Sequence, residues 1–325
     1  MVKKRKTIEY SNAVCATREK TLVTKSALLR MAEAENLATA FDILRESSFG
    51  GQNKYKCEEF EKLIEDEQRS IVEFVKEYAP NRETEEFCLY SYDFYNAQVI
   101  LKSEYLRLNY ENYIQTEGLI SIQDLLLFIR DGADINAPKE LKSAVDYCKK
   151  GIKEGLGGAQ IGAYFARCEY ACLKRIAKSA YLKDIIVKKI DGLNLCTCLR
   201  CNSYDNAKEQ IIQGGTLTDG QLEVICLKNS EKIEVSLKDH YLKSMAISAL
   251  NQVLKGKPLV DTEREINGFA NRRMMQNQYV EQSGTMPFMR YIFARQNAVS
   301  CVRTALTGKL NGLDSEQIKR RLTVV

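Results

Sequence analysis

Between Tyr55 and Ala79 the apolar residues Phe60, Leu63, Ile64, Ile71, Phe74, Val75 and Tyr78 recur with a period of about 3.6, and polar residues fill the gaps. That spacing gathers them on one face of a helix. The stretch from Glu85 to Tyr113 has the same rhythm and many aromatic residues, so two long antiparallel helices are the simplest reading of this part of the chain. Comparable runs extend from Ile161 to Lys178 and Tyr181 to Asn202, and again from Thr262 to Gln282 and Phe288 to Leu310, each pair reading as a helical hairpin with shorter connecting helices. Pro80, Pro138 and Pro258 fall at joints between periodic runs, where a residue with no N–H and a locked φ stops a helix.

A short segment recurs on these helices: Asn12-Ala-Val-Cys-Ala-Thr-Arg18, Asn96-Ala-Gln-Val-Ile-Leu-Lys102, Asn194-Leu-Cys-Thr-Cys-Leu-Arg200 and Asn297-Ala-Val-Ser-Cys-Val-Arg303. The Asn-to-basic spacing alone is common; the small or apolar residues one, four and five places after the Asn are what set these four apart. They are Ala13/Ala16/Thr17, Ala97/Ile100/Leu101, Leu195/Cys198/Leu199 and Ala298/Cys301/Val302, with Thr17 the imperfect member. At about 100° per residue they form one stripe, with the Asn at its edge and the basic residue nearly opposite.

The last three copies are each followed by a turn and a helix start of one grammar, with Ser121, Thr218 and Asp314 as N-caps and Asp124, Gln221 and Gln317 three residues on. Gln221 and Gln317 complete capping boxes in pattern, whereas Asp124 is shorter and less apt. With starts separated by 98 and 103 residues, these copies divide the chain into repeats at 1–120, 121–217 and 218–325, the Asn12 copy being an amino-terminal half-repeat. One hairpin of this size exposes too much apolar surface to stand alone, so the three should pack together. The expected fold class is all-α.

Composition agrees: 4 prolines in 325 residues, no tryptophan, and 45% hydrophobic residues allow long uninterrupted helices around a sizeable core. Eleven cysteines without a signal peptide point to a reducing, cytosolic compartment. The most apolar run, Leu125-Leu-Leu-Phe-Ile129, is far short of the ~18 residues a bilayer needs and is bounded by Asp124 and Arg130, so any membrane association should be peripheral. The net charge of +5 is spread over Lys3-Lys-Arg-Lys6, Lys149-Lys150, Lys188-Lys189 and Lys319-Arg-Arg321, as on a solvated surface. No nucleic-acid reading element accompanies it, while an acidic protein partner is compatible.

Candidate chemistry is sparse. Cys196, Cys198 and Cys201 are closely spaced, but on a helix Cys196 points away from the other two and no ligand histidine accompanies them, so buried small residues are expected rather than a metal site. The only histidine is His240, and no Cys/His pairing is legible; neither catalytic residues nor a cofactor are expected. Gly308-Lys309 lacks the first glycine of a phosphate loop, which is Arg303 here, and Leu310 stands where Ser or Thr is required; a helix end is the better reading.

Three segments nevertheless form an ordered set. The stretch Tyr291-Ile-Phe-Ala-Arg-Gln-Asn-Ala-Val-Ser-Cys-Val-Arg303 with Gly308-Lys-Leu-Asn-Gly-Leu313 and Glu316-Gln-Ile-Lys-Arg-Arg-Leu322, the pairs Asp93/Asn96 and Asp191/Asn194, and the opening from Asn12 to Gly51 resemble the C subunit of V/A-type rotary ATPases, called the d subunit in the eukaryotic vacuolar enzyme. The resemblance spans nearly the whole chain. It departs from the family at Gln296 and Ala298, where acidic residues are frequent, and at Cys301, where Asn is frequent.

The resemblance implies a funnel-shaped body of three related helical bundles about a pseudo-threefold axis, on the cytoplasmic side of the membrane. One end would meet the proteolipid rotor ring and the other would receive the central shaft subunits. Such a central-stalk subunit is non-catalytic and couples ring and shaft during ion transport and ATP synthesis or hydrolysis. A repeated body also suits a static scaffold or adaptor for a cytosolic protein complex, and a cytosolic enzyme using Cys or carboxylate chemistry is a third, weaker reading. The repeated basic residues Arg18, Lys102, Arg200 and Arg303 are the candidate partner contacts, with solvent exposure or packing between repeats as the plainer alternative.

Overall fold

The computed structural model describes residues 5–51, 55–256, 263, 266, 268 and 284–322. Among the described residues there are fifteen α-helices and no strand. The chain forms two compact units, one of Met1–Glu85 with Asn271–Val325 and the other of Glu86–Ala270.

The first unit contains α1 (Ile8–Glu19), α2 (Lys25–Glu33), α3 (Leu37–Leu44), α4 (Phe60–Tyr78), α14 (Met286–Leu310) and α15 (Ser315–Arg321). The periodic face of α4 is buried as its spacing predicts, from Phe60 through Leu63 and Ile64 to Phe74 and Val75. Its long partner, however, is α14. The expected pairing with the next helix in sequence is corrected here, because α5 (Arg82–Leu106) passes into the other unit after Glu85. Periodicity shows which face is buried and says nothing about which helix covers it. α14 buries residues nearly all round, including Phe288, Tyr291, Ile292, Val299, Val302 and Leu306, so α1, α2, α3 and α4 all pack on it. Phe74 of α4 meets Phe288 and Tyr291 with ring centroids 5.7 and 5.1 Å apart.

The second unit continues from α5 through α6 (Ile122–Asp131), α7 (Lys139–Lys153), α8 (Gly158–Ile176), α9 (Ala180–Arg200), α10 (Tyr204–Lys208), α11 (Asp219–Cys226), α12 (Ser230–Ser236) and α13 (Lys243–Leu254). The hairpin expected from Ile161 to Asn202 is present as α8 and α9, which pack on each other. Ala97, Ile100 and Leu101 lie in a core with Leu125, Ile129, Leu141, Val145 and Phe165. The matching stripe Leu195, Cys198 and Leu199 lies in a second core with Leu222, Ile225, Ile233, Leu242 and Leu250. Burying a Leu or Ile contributes about 1.5–3 kcal/mol, so these stripes anchor their surroundings.

In the carboxy-terminal copy Ala298, Cys301 and Val302 are likewise buried. The amino-terminal copy differs: Ala13, Ala16 and Thr17 are exposed, and α1 buries Ser11 and Cys15 instead. Three small side chains offer too little apolar area to dictate a buried face, and α1 turns its Cys15 side inward.

The caps are in place. The side chains of Ser121, Thr218 and Asp314 accept the backbone N–H of Asp124, Gln221 and Gln317, and Gln221 and Gln317 complete reciprocal capping boxes. At the first of these starts Asp124 accepts the Ser121 hydroxyl at 2.7 Å, while Glu117 accepts the Ile122 N–H at 2.9 Å. Pro138 caps α7, and Gly308 lies in the last turn of α14, where an added Cβ would approach Ile318 of α15 to 2.7 Å. Pro258 and, except for Glu263, Ile266 and Gly268, the expected helix from Thr262 to Gln282 lie outside the described residues.

Candidate functional site

The paired residues Asp93/Asn96 and Asp191/Asn194 build two equivalent clamps. Three residues apart on one helical face, each pair reaches the loop that leads into the next N-cap, Ser121 or Thr218. In the first, Asn96 accepts the Gln115 N–H at 2.8 Å and donates to the carbonyls of Gln115 and Thr116, both at 3.3 Å. Asp93 accepts the N–H groups of Leu119 and Ile120 at 3.0 and 3.1 Å. In the second, Asn194 accepts the Ile212 N–H and donates to the Ile212 carbonyl, both at 2.9 Å. Asp191 accepts the N–H groups of Thr216 and Leu217 at 2.7 and 3.2 Å.

All four polar side chains are buried, and at Ile120, Ile212 and Leu217, which are buried too, the backbone groups they satisfy would otherwise lack partners away from water. Each loop carries a glycine pressed against the carboxylate. A Cβ on Gly118 would collide with Asp93 Oδ1, and one on Gly215 with Asp191 Oδ1. The sequence marks Asp, Asn and the glycine separately; only the fold shows that they meet.

The second clamp has an outer layer that sequence reasoning missed. Asp191 Oδ2 also accepts the Tyr241 hydroxyl at 2.6 Å and the Thr216 hydroxyl at 2.5 Å. Burial, reinforced by Asp191, pushes the Tyr241 phenol upward. Thr216 Oγ1 lies 2.8 Å from His240 Nε2. The single histidine therefore belongs to a hydrogen-bonded joint. Chain neighbours of His240 carry no signal of this, since Thr216 and Asp191 are remote in sequence.

The first unit contains a cleft of about 550 Å³ with a charged floor. There Arg295 of α14 donates to Glu67 Oε1 of α4 from Nε at 2.8 Å and from Nη2 at 2.5 Å, and also reaches Ser70 Oγ at 3.1 Å. Gly50 N–H donates to Glu67 Oε2 at 3.1 Å. The two charged side chains are only 7% and 8% exposed. Taking both charges out of water is costly, and the multiple hydrogen bonds are what make the pair tolerable. No local sequence signal joins residues this far apart.

The four repeated basic residues occupy different settings. Arg18 lines the cleft and lies over the rings of Phe74 and Tyr78, 5.0 and 5.5 Å from their centroids. Lys102 is half-buried beside Gly162, and burial lowers the affinity of its amine for a proton. Arg200 pairs with Glu263, and Arg303 donates to Glu61 at 3.1 Å. Arg200 and Arg303 keep 54% and 41% of their side chains exposed, which leaves the heads accessible.

Cys196 and Cys198 are core residues, and burial pushes the Cys196 thiol up to about 12. The thiols of Cys15, Cys88 and Cys172 are raised to about 12 by the same cause. Thiols held protonated are poor nucleophiles and poor metal ligands. Among the described residues no group of three or more His, Cys, Asp or Glu side chains is arranged to hold a metal ion, and no helix is long and apolar enough to cross a membrane.

Comparison with known proteins gives this helical, clamped chain a place. It is similar to the C subunit of the V-type sodium ATPase of Enterococcus hirae, 21% identical over 330 residues that cover 97% of each chain. The family model described as ATP synthase (C/AC39) subunit matches residues 11–321, and the chain belongs to that family, the C (or d) subunits of V/A-type ATPases.

Proposed function

We propose that the chain is the non-catalytic central-stalk subunit of its rotary ATPase, coupling the proteolipid rotor ring to the central shaft from the cytoplasmic side of the membrane. The observation that carries this reading is family membership along nearly the entire chain. The two clamps support it, because a part that transmits torque must not yield at its helix-to-loop joints, and buried hydrogen-bonded networks stiffen such joints. Division into three related bundles at 1–120, 121–217 and 218–325, around a pseudo-threefold axis, belongs to the same proposal. Its support is the recurrence of clamp and glycine in the first two repeats, each followed by a capped helix that opens the next repeat. Arg18, Lys102, Arg200 and Arg303 are the proposed contacts with ring or shaft, and Arg18 and Arg200 are the most accessible of the four.

Gentle-detergent purification of the tagged chain from native membranes tests the assignment. Ring and shaft proteins should co-purify, and loss of the chain should abolish ATP-driven ion transport while the detached head still hydrolyses ATP. Recovery of an unrelated cytosolic complex without ring or shaft would overturn the reading in favour of a static scaffold. For the basic positions, charge reversal should impair assembly with helicity and melting unchanged; full assembly of all four variants would remove them as contacts.

A further inference from the structure

The geometry around His240 points to a proton-operated latch at the start of α13: neutral His240, seated through Nε2 on the clamped loop before α11, holds the Leu242 N–H, and protonation releases that N–H while the contact with Thr216 is kept. Thr216 has a single hydroxyl proton, and Asp191 Oδ2 takes it at 2.5 Å. Thr216 Oγ1 therefore meets His240 Nε2, 2.8 Å away, as an acceptor, which places the imidazole proton on Nε2. The opposite nitrogen, Nδ1, accepts the Leu242 N–H at 3.2 Å. Both ring nitrogens are thus satisfied in one neutral tautomer. The imidazolium form carries a proton on Nδ1 as well, so two donors face each other at Leu242 and that bond is lost.

The groups facing the ring set the balance. From α9, Asp191 favours the charged form, while burial opposes it and is the larger influence. Tyr241 stacks on the imidazole with centroids 4.7 Å apart and spends its hydroxyl on Asp191. On the same segment, Lys243 is paired with Glu234 of α12 at 3.1 Å, and Lys238 and Asp239 are exposed. The ring is half-buried, so solvent protons reach it without unfolding the unit. Leu242, whose N–H the ring holds, is fully in the core, so the latch connects solvent acidity to the packing of α13 against α9.

Because the chain has only 1 histidine, its signals are unambiguous. Nitrogen NMR of the purified full-length chain with labelled histidine should report the Nε2–H tautomer above the unperturbed imidazole pKa of about 6.5. Amide exchange, corrected for intrinsic rates, should show Leu242 losing protection as pH falls from about 7.5 to about 5, below that value because burial opposes protonation of the ring, while Thr216 and Leu217, held by Asp191, keep theirs. In His240→Ala the Leu242 amide should be weakly protected at both pH values. An Nδ1–H tautomer, or a wild-type Leu242 amide whose corrected protection is the same at both pH values, overturns the proposal; both readings come from wild-type protein, so a variant that fails to fold does not rescue it.

Discussion

The Asn194 carboxamide holds both backbone groups of Ile212, donating to its carbonyl and accepting from its N–H at 2.9 Å each. A carboxamide is the side chain suited to this, since it offers a donor and an acceptor a short distance apart. At Asn96 and Asn194 the Asn at the edge of the recurring stripe is thus a joint between its helix and the loop that leads into the next capped helix.

Asn194→Ala should leave the Ile212 N–H and C=O buried without partners, each costing about 1–3 kcal/mol. Chemical denaturation should therefore show a loss of about 2–6 kcal/mol, and a smaller one for Asn96→Ala, whose partners Gln115 and Thr116 are half-buried. Asn194→Asp should rank with the alanine variant, because a carboxylate cannot donate to the Ile212 carbonyl. Unchanged denaturation midpoints in these variants would show that the loops are held by other contacts.

The glycines against the clamps offer a separate test. Gly215→Ala and Gly118→Ala introduce a methyl group where the carboxylates of Asp191 and Asp93 already lie, and should cost about 1–3 kcal/mol through forced displacement. Gly220→Ala is the control: nothing lies within 4 Å of an added Cβ, and the position is helical, so stability should be unchanged or rise by about 0.4–1 kcal/mol. Thermal melts of the three variants decide the matter by their order.

Glu67 and Arg295 should behave as a coupled unit. Arg295→Met strands a buried carboxylate and Glu67→Leu a buried guanidinium, each at a cost of about 3–5 kcal/mol. The double variant should recover most of that loss, since an apolar pair avoids the desolvation penalty altogether. A double-mutant cycle by urea unfolding measures the recovery, and simple additivity would contradict the assignment.

Acid sensitivity should be traceable to Glu140. Arg175 donates to both of its carboxylate oxygens, at 2.7 and 2.9 Å, and this hydrogen bonding holds the Glu140 carboxyl below its ordinary value. A carboxyl whose affinity for protons is lower in the folded chain stabilises it above the unfolded pKa, and that contribution is lost as pH falls through the folded one. Arg175 is 47% exposed, so solvent screening limits the contribution to about 1 kcal/mol or less. Glu140→Gln should melt below the wild type at neutral pH, and the difference should close below about pH 4. A gap that widens on acidification would reverse the sign of this assignment.

Local chemistry made much of the molecule readable. The period of the apolar residues placed α4, α8, α9 and α14 to within a few residues, because burying one face of a helix imposes its spacing on the sequence. Ser121, Thr218 and Asp314 announced helix starts because an N-cap satisfies backbone groups only two or three residues away. The stripes after Asn96, Asn194 and Asn297 were legible as core for the same reason. The stripe after Asn12 was not, since Ala13, Ala16 and Thr17 carry too little apolar area to choose a face.

Relations across long stretches of chain were decided by tertiary structure alone. That α4 lies on α14, that Arg295 neutralises Glu67, and that His240 reaches Thr216 beside Asp191 depend on which surfaces meet after the helices form. A helix carries the spacing of its own buried face in its sequence, but not the identity of what covers it. By itself, then, the sequence determined the helices, their caps and the residues available for clamping. Only packing decided which of those residues became joints, because hydrogen bonds and ion pairs act over a few ångströms and require the fold to bring their partners together.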